Sequence, residues 1–108
     1  MAKSKPGIGG SIHPPLGVAG LEGRLQRLWT AIGEVRAGGR LSPRTIKLLK
    51  SGRAKMAQKV IEEAAELGIE AVRGNRIGLV EESVDLLYNL LVLWSDAGVF
   101  PSEIAAAM

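Results

Sequence analysis

The chain has 108 residues, a formal net charge of +3 and no cysteine, which describes one small domain near the lower limit for burying a substantial core unaided and excludes disulfides, thiolate metal sites and cysteine nucleophiles. The only histidine, His13, lies beside two prolines and gives poor support to a His-rich zinc site or a Ser-His-Asp triad. A pI near 9.6 would suit nucleic acid, but aromatic residues are scarce and the charge is uneven, so no nucleic-acid partner is expected: residues 1–76 hold all fourteen Lys and Arg against six acids, and residues 77–108 hold five acids and no Lys or Arg.

Along the chain, residues 1–20 are rich in Gly and Pro with no apolar period, and are expected to form a flexible basic arm ahead of a single domain at 21–108. "MAKSKPGIGG" leads into Gly and Pro rather than a signal-peptide core, and no apolar run reaches the roughly 18–20 residues of a membrane span, so a cytoplasmic protein with no membrane partner is expected. "LEGRLQRLWTAIGEVRAGG" places apolar residues at 21, 25, 28, 32 and 35, a helical spacing that Gly38 and Gly39 end. Ser42 and Pro43 form an N-cap and first-turn pair for a second helix, "PRTIKLLK", interrupted near Ser51-Gly52. A third helix covers about 54–73 and stops at "GNRIG"; a fourth covers about 79–97, ends at Gly98 and is followed by a short turn that Ser102 caps. Nothing alternates with a period of two, so the fold is expected to be all-α, a bundle built on an antiparallel hairpin of the third and fourth helices. The long apolar fourth helix leaves uncovered apolar surface in so small a chain, and dimerisation is expected to complete the bundle.

On the third helix Lys55, Lys59, Glu62, Glu63, Glu66, Glu70 and Arg73 share an arc of about 100°, opposite Val60, Ala64, Leu67 and Ala71, a division that solvent-facing helices also show. The fourth helix is apolar over more than half its wheel, yet Glu82, Asp85, Asn89 and Asp96 fall in a stripe only about 60° wide. Such a helix should lie deep in a bundle, and it offers no Lys or Arg to its own carboxylates, so something else must neutralise them. Glu63 and Glu66 are three apart on one helix, and Glu82 and Asp85 three apart on the next. The hairpin can therefore gather four carboxylates around one point, a set of hard oxygen ligands that suits Mg²⁺ or Mn²⁺ better than zinc or copper.

The pattern EExxE followed by ExxD, joined to "KLLKSGRAKMAQKV" before it and "DLLYNLLVL" after it, resembles the all-α MazG-like nucleoside triphosphate pyrophosphohydrolases, and within them the phosphoribosyl-ATP pyrophosphohydrolases of the HisE type. The similarity runs from Thr45 to Gly98. It implies metal ligands at Glu63, Glu66, Glu82 and Asp85, with Glu62 either supporting those ligands from behind or orienting the attacking water as an acceptor, and Glu62 and Glu63 as the catalytic pair. Lys55 and Lys59 are then placed to approach substrate phosphates or to pair with Glu62, Glu63 or Glu66 one turn away. Arg44, Lys47 and Arg53 either screen the triphosphate or are plain basic surface. The implied reaction is Mg²⁺-dependent cleavage of the α–β phosphoanhydride of a nucleoside triphosphate, with active sites near the contacts of a homodimer. The chain departs from the HisE pattern at Ile61 (Gly there), Asn75 (Asp) and Asn89 (His). Asn89 is still able to hydrogen-bond a ligand but not to exchange protons, which keeps open a house-cleaning pyrophosphohydrolase of other nucleotides. A helical interaction module, with an acidic face for a basic partner and no metal, is the alternative of another class. No phosphate-loop glycine motif occurs; Ser51-Gly52 and Gly74-Asn75 read as helix punctuation, and Trp29, Trp94 and Tyr88 as core or interface.

Overall fold

The computed structural model describes residues 20–108; residues 1–19 of the expected arm, His13 included, lie outside the described residues. The fold is all-α: α1 (Leu21–Arg36), α2 (Pro43–Lys50), α3 (Arg53–Arg73), α4 (Arg76–Ala97) and α5 (Pro101–Ala107). Among the described residues no single helix is long and apolar enough to cross a membrane.

The helix ends follow local chemistry. Gly74 closes α3 with φ of 70° and Gly98 closes α4 with φ of 73°, the left-handed conformation that a β-carbon would strain. The Asn75 N–H then reaches back to the Glu70 carbonyl at 3.0 Å, so α3 and α4 join in a tight antiparallel hairpin. Asn75 caps α4, its Oδ1 accepting the Gly78 N–H at 3.1 Å while its Nδ2 donates to Glu70 at 3.1 Å; an aspartate here would cap equally well but would lose the second bond. Two capping expectations change. Ser42 occupies the N-cap position of α2, yet its hydroxyl donates to Thr45 Oγ1 at 3.1 Å rather than accepting a backbone N–H. Ser102 lies inside α5, not at its cap: Pro101 presets the first turn, and the Glu103 carboxylate accepts the Phe100 N–H at 2.9 Å.

α3 packs mainly on α4, and α1 lies across α4 as well. The core gathers Ile32, Met56, Tyr88, Leu91 and Val92, with Trp29 and Trp94 packed against it. All three aromatics therefore contribute to the core, and Trp29 also meets Phe100 edge-on at 6.3 Å. The core explains a correction to the fourth helix. Apart from Gly78, α4 is buried only over its second half, from Tyr88 to Ser95, where the side chains of α1 and α2 reach it. Over its first half Ile77, Val80 and Val84 are 73%, 59% and 62% exposed. The third helix also faces differently from expectation: Met56 and Glu63 are its buried residues, while Ala64 and Ala71 are exposed and Val60 and Leu67 half-buried. Glu63 is turned towards α4 while Glu62 and Glu66 stay exposed, and Ala64 and Ala71 look outward.

Candidate metal centre and cationic cleft

The hairpin register brings together one carboxylate of α4 and two of α3. Glu63, Glu66 and Glu82 each offer an oxygen within 4.8 Å of the others. Glu63 and Glu66, three residues apart, project from one side of α3. Glu63 is 8% exposed; Glu82 is half-buried, and its Oε2 is shut off from solvent with no hydrogen-bond partner. The Glu82 carboxyl is pushed up to about 7, first because in its protonated form it hydrogen-bonds to Glu63, then because burial disfavours its charge, then because Glu66 also hydrogen-bonds to it and both neighbours are negative. Without an ion, then, crowding among the three carboxylates keeps Glu82 protonated to higher pH than a free glutamate. Lys59 Nζ, 3.7 Å from Glu63, is the cation paired with it among the described residues. The orphaned Glu82 oxygen and the all-oxygen donor set fit a hard divalent cation, which would displace that proton.

Asp85 lies one turn along α4, outside this trio, and faces Arg44 of α2 at 3.8 Å. Glu62, adjacent to Glu63, is exposed and accepts a hydrogen bond from Gln58 at 2.9 Å. Asp96 is bound by Arg53, whose Nη2 also donates to the Asp96 carbonyl at 3.1 Å. The neutralising partner expected from outside the α4 stripe is thus in part the protein itself: the neighbouring helices α2 and α3 supply an arginine each to Asp85 and Asp96. The pair at Asp96 also keeps Arg53 away from the other basic residues proposed to meet substrate.

Those others converge. A cleft of about 280 Å³ is bordered by Arg44, Lys47, Lys55 and Lys59, with Tyr88 and Asn89 from α4. Short helix α2 sets two cations one turn apart at 44 and 47, and the start of α3 sets two more at 55 and 59, so the cleft is walled by donors. The Arg44 guanidinium lies 4.2 Å from the centre of the Tyr88 ring, a cation–π stack that fixes its approach. The Tyr88 hydroxyl shares a 2.7 Å hydrogen bond with Thr45. Asn89 is 2% exposed; its Nδ2 donates to the Asp85 carbonyl at 2.8 Å and its Oδ1 has no partner. Sequence reasoning missed Tyr88 as part of this wall, because a tyrosine at helical spacing among leucines signals core, and it is core on one side and cleft on the other. Of the departures from the HisE pattern, Ile61 is 69% exposed and touches neither feature.

The sequence profile of the phosphoribosyl-ATP pyrophosphohydrolase family matches residues 35–108. The chain is 48% identical over 84 residues to phosphoribosyl-ATP pyrophosphatase 2 of Rhodopseudomonas palustris, covering 78% of this chain and 64% of that protein. It is 46% identical over 80 residues to phosphoribosyl-ATP pyrophosphatase of Azospirillum brasilense (74% of this chain, 72% of that protein) and, over the same length, to phosphoribosyl-ATP pyrophosphatase 2 of Bradyrhizobium diazoefficiens (74% and 60%). The matched segment thus spans between 60% and 72% of these relatives.

Proposed function

The chain belongs to the phosphoribosyl-ATP pyrophosphohydrolase family, and from that premise we propose that it hydrolyses the α–β phosphoanhydride of phosphoribosyl-ATP to phosphoribosyl-AMP and pyrophosphate, a Mg²⁺-dependent step of histidine biosynthesis in the cytoplasm. The observation that carries the reading is the convergence of Glu63, Glu66 and Glu82 beside a cleft bordered by four cations. Such a cleft attracts a polyphosphate that the carboxylates alone would repel. Glu63, Glu66 and Glu82 would hold Mg²⁺ or Mn²⁺, and Asp85 would join them by leaving Arg44, which is then released towards substrate phosphate. A divalent cation bound there would polarise the phosphoryl group, acidify the attacking water and stabilise the leaving pyrophosphate. Glu62, exposed beside the cluster, would orient that water as a hydrogen-bond acceptor. Lys55 and Lys59 would hold the phosphates from α3, and Arg44 and Lys47 from α2. The uncovered apolar residues Val72, Ile77, Val80 and Val84 favour a homodimer in which a second copy covers this end of the hairpin.

A second reading, a house-cleaning pyrophosphohydrolase of other or non-standard nucleotides, is favoured by Asn89, since the buried amide carries no titratable proton where HisE-type sequences have a histidine. The test is pyrophosphate release, with and without Mg²⁺, from phosphoribosyl-ATP and from a panel of common and modified nucleoside triphosphates. Mg²⁺-dependent release highest with phosphoribosyl-ATP is the expected result. Preference for another triphosphate would support the second reading, and no release from any nucleotide would leave the non-catalytic interaction module.

A further inference from the structure

The cleft contains many donors and a single unmatched acceptor. Arg44, Lys47, Lys55 and Lys59 carry only N–H donors on their side chains. Ser51 gives its hydroxyl to the Leu48 carbonyl, and the Tyr88 hydroxyl is occupied with Thr45. Asn89 differs. Its Nδ2 is committed to the Asp85 carbonyl at 2.8 Å, and turning the amide over would set oxygen against oxygen, so the orientation is fixed by chemistry. Its Oδ1 is left buried and without a partner. A carbonyl in that state is worth about tenfold or more to any ligand that supplies the missing donor. Phosphate oxygens at neutral pH only accept, so the polyphosphate cannot supply it.

We infer that Asn89 Oδ1 sets substrate specificity in this cleft by accepting a hydrogen bond from an N–H or O–H group on the uncharged part of the nucleotide, a sugar hydroxyl or a base amino group, while the four cations hold the phosphates. The inference rests on the nucleotide reading proposed above. Asn89 lines the cleft, and its Oδ1 is closed to water in the free protein. Closure to water gives the contact its selectivity: a nucleotide lacking the donor leaves the oxygen unpaired, with no solvent molecule to take its place.

The test compares kcat/KM of the wild-type protein and of Asn89→Leu on the best nucleotide substrate and on three analogues, each lacking one donor: the 2′-hydroxyl, the 3′-hydroxyl or the base amino group. The wild type is expected to lose about tenfold or more on one analogue, which identifies the donor, and Asn89→Leu to hydrolyse that analogue and its parent within about twofold of each other. Asn89→Ala serves if the leucine disturbs α4, as judged by circular dichroism. The inference is overturned if the wild type accepts all three analogues as well as the parent, or if either variant keeps the wild-type discrimination. A wild-type protein that hydrolyses the parent but not selectively removes this inference alone; one that hydrolyses no nucleotide removes the function proposed above together with it.

Discussion

Two regions meet along the α3–α4 hairpin, and they carry opposite charge on opposite terms. In the basic cleft Lys47 and Lys55 have no carboxylate partner among the described residues, while Arg44 lies 3.8 Å from Asp85 and Lys59 3.7 Å from Glu63. In the acidic cluster three carboxylates crowd one another closely enough that Glu82 keeps a proton to about neutral pH. Lys59, 3.7 Å from Glu63, is the bridge between them. The contrast shows that the protein does not pair its charges to exhaustion even with cations available. Arg53, held by Asp96, lies outside the cleft, whereas Arg44 and Lys59 line it with their carboxylates at the looser distances of 3.8 and 3.7 Å. Loosely paired cations next to a carboxylate cluster are what a site for a cation-bound polyphosphate requires.

The largest expected effect comes from breaking the acidic side. Glu66→Gln or Glu82→Gln should lower kcat by about a thousandfold or more while leaving the helical circular dichroism unchanged, because a lost ligand removes the cation's whole contribution to the transition state. Breaking the basic side should cost less. Lys55→Ala is expected to raise KM by about tenfold with a smaller change in kcat, and the deficit should shrink as ionic strength rises, because part of the lysine's attraction is long-range and screened.

The next effect is on stability against pH without metal. Glu82 has a folded-state value near 7 against 4.5 when unconstrained. The folded protein therefore binds the extra proton between those values, so this contribution is complete below about 4.5 and is lost as pH rises through about 7. Thermal melts in chelator should show a Tm that falls across that window, and Glu82→Gln should flatten the slope. Saturating Mg²⁺ should remove it as well, by replacing the proton. The smallest effect belongs to the paired region: Arg53→Ala should cost about 1 kcal/mol or less, since its ion pair with Asp96 is largely exposed, and should leave KM near its wild-type value.

Much of this was legible in the sequence, for identifiable reasons. Glycines at 52, 74 and 98 and Pro43 act over a few residues, so the helices and the hairpin could be read directly, but the Asn75 cap was not, and α4 starts at Arg76 rather than near 79. Spacing three on each helix combined with a short turn led to an expected set of four carboxylates, of which Glu63, Glu66 and Glu82 lie together while Asp85 stands apart with Arg44. The partners of Asp85 and Asp96 were not legible, because Arg44 and Arg53 come from elements whose approach depends on how α2 seats against the core. Burial along α4 was misjudged for a similar reason: its composition is apolar throughout, but only α1 and α2 decide which half is covered. The buried state of Asn89 Oδ1 likewise depends on tertiary packing and leaves no trace in periodicity.

The central claim is that the hairpin's three glutamates form a divalent-cation site, and anomalous diffraction from crystals soaked in Mn²⁺ tests it most directly. A peak within coordination distance of Glu63, Glu66 and Glu82 is the predicted result. Density at other carboxylates with none between α3 and α4, in crystals that bind Mn²⁺ elsewhere, would contradict it.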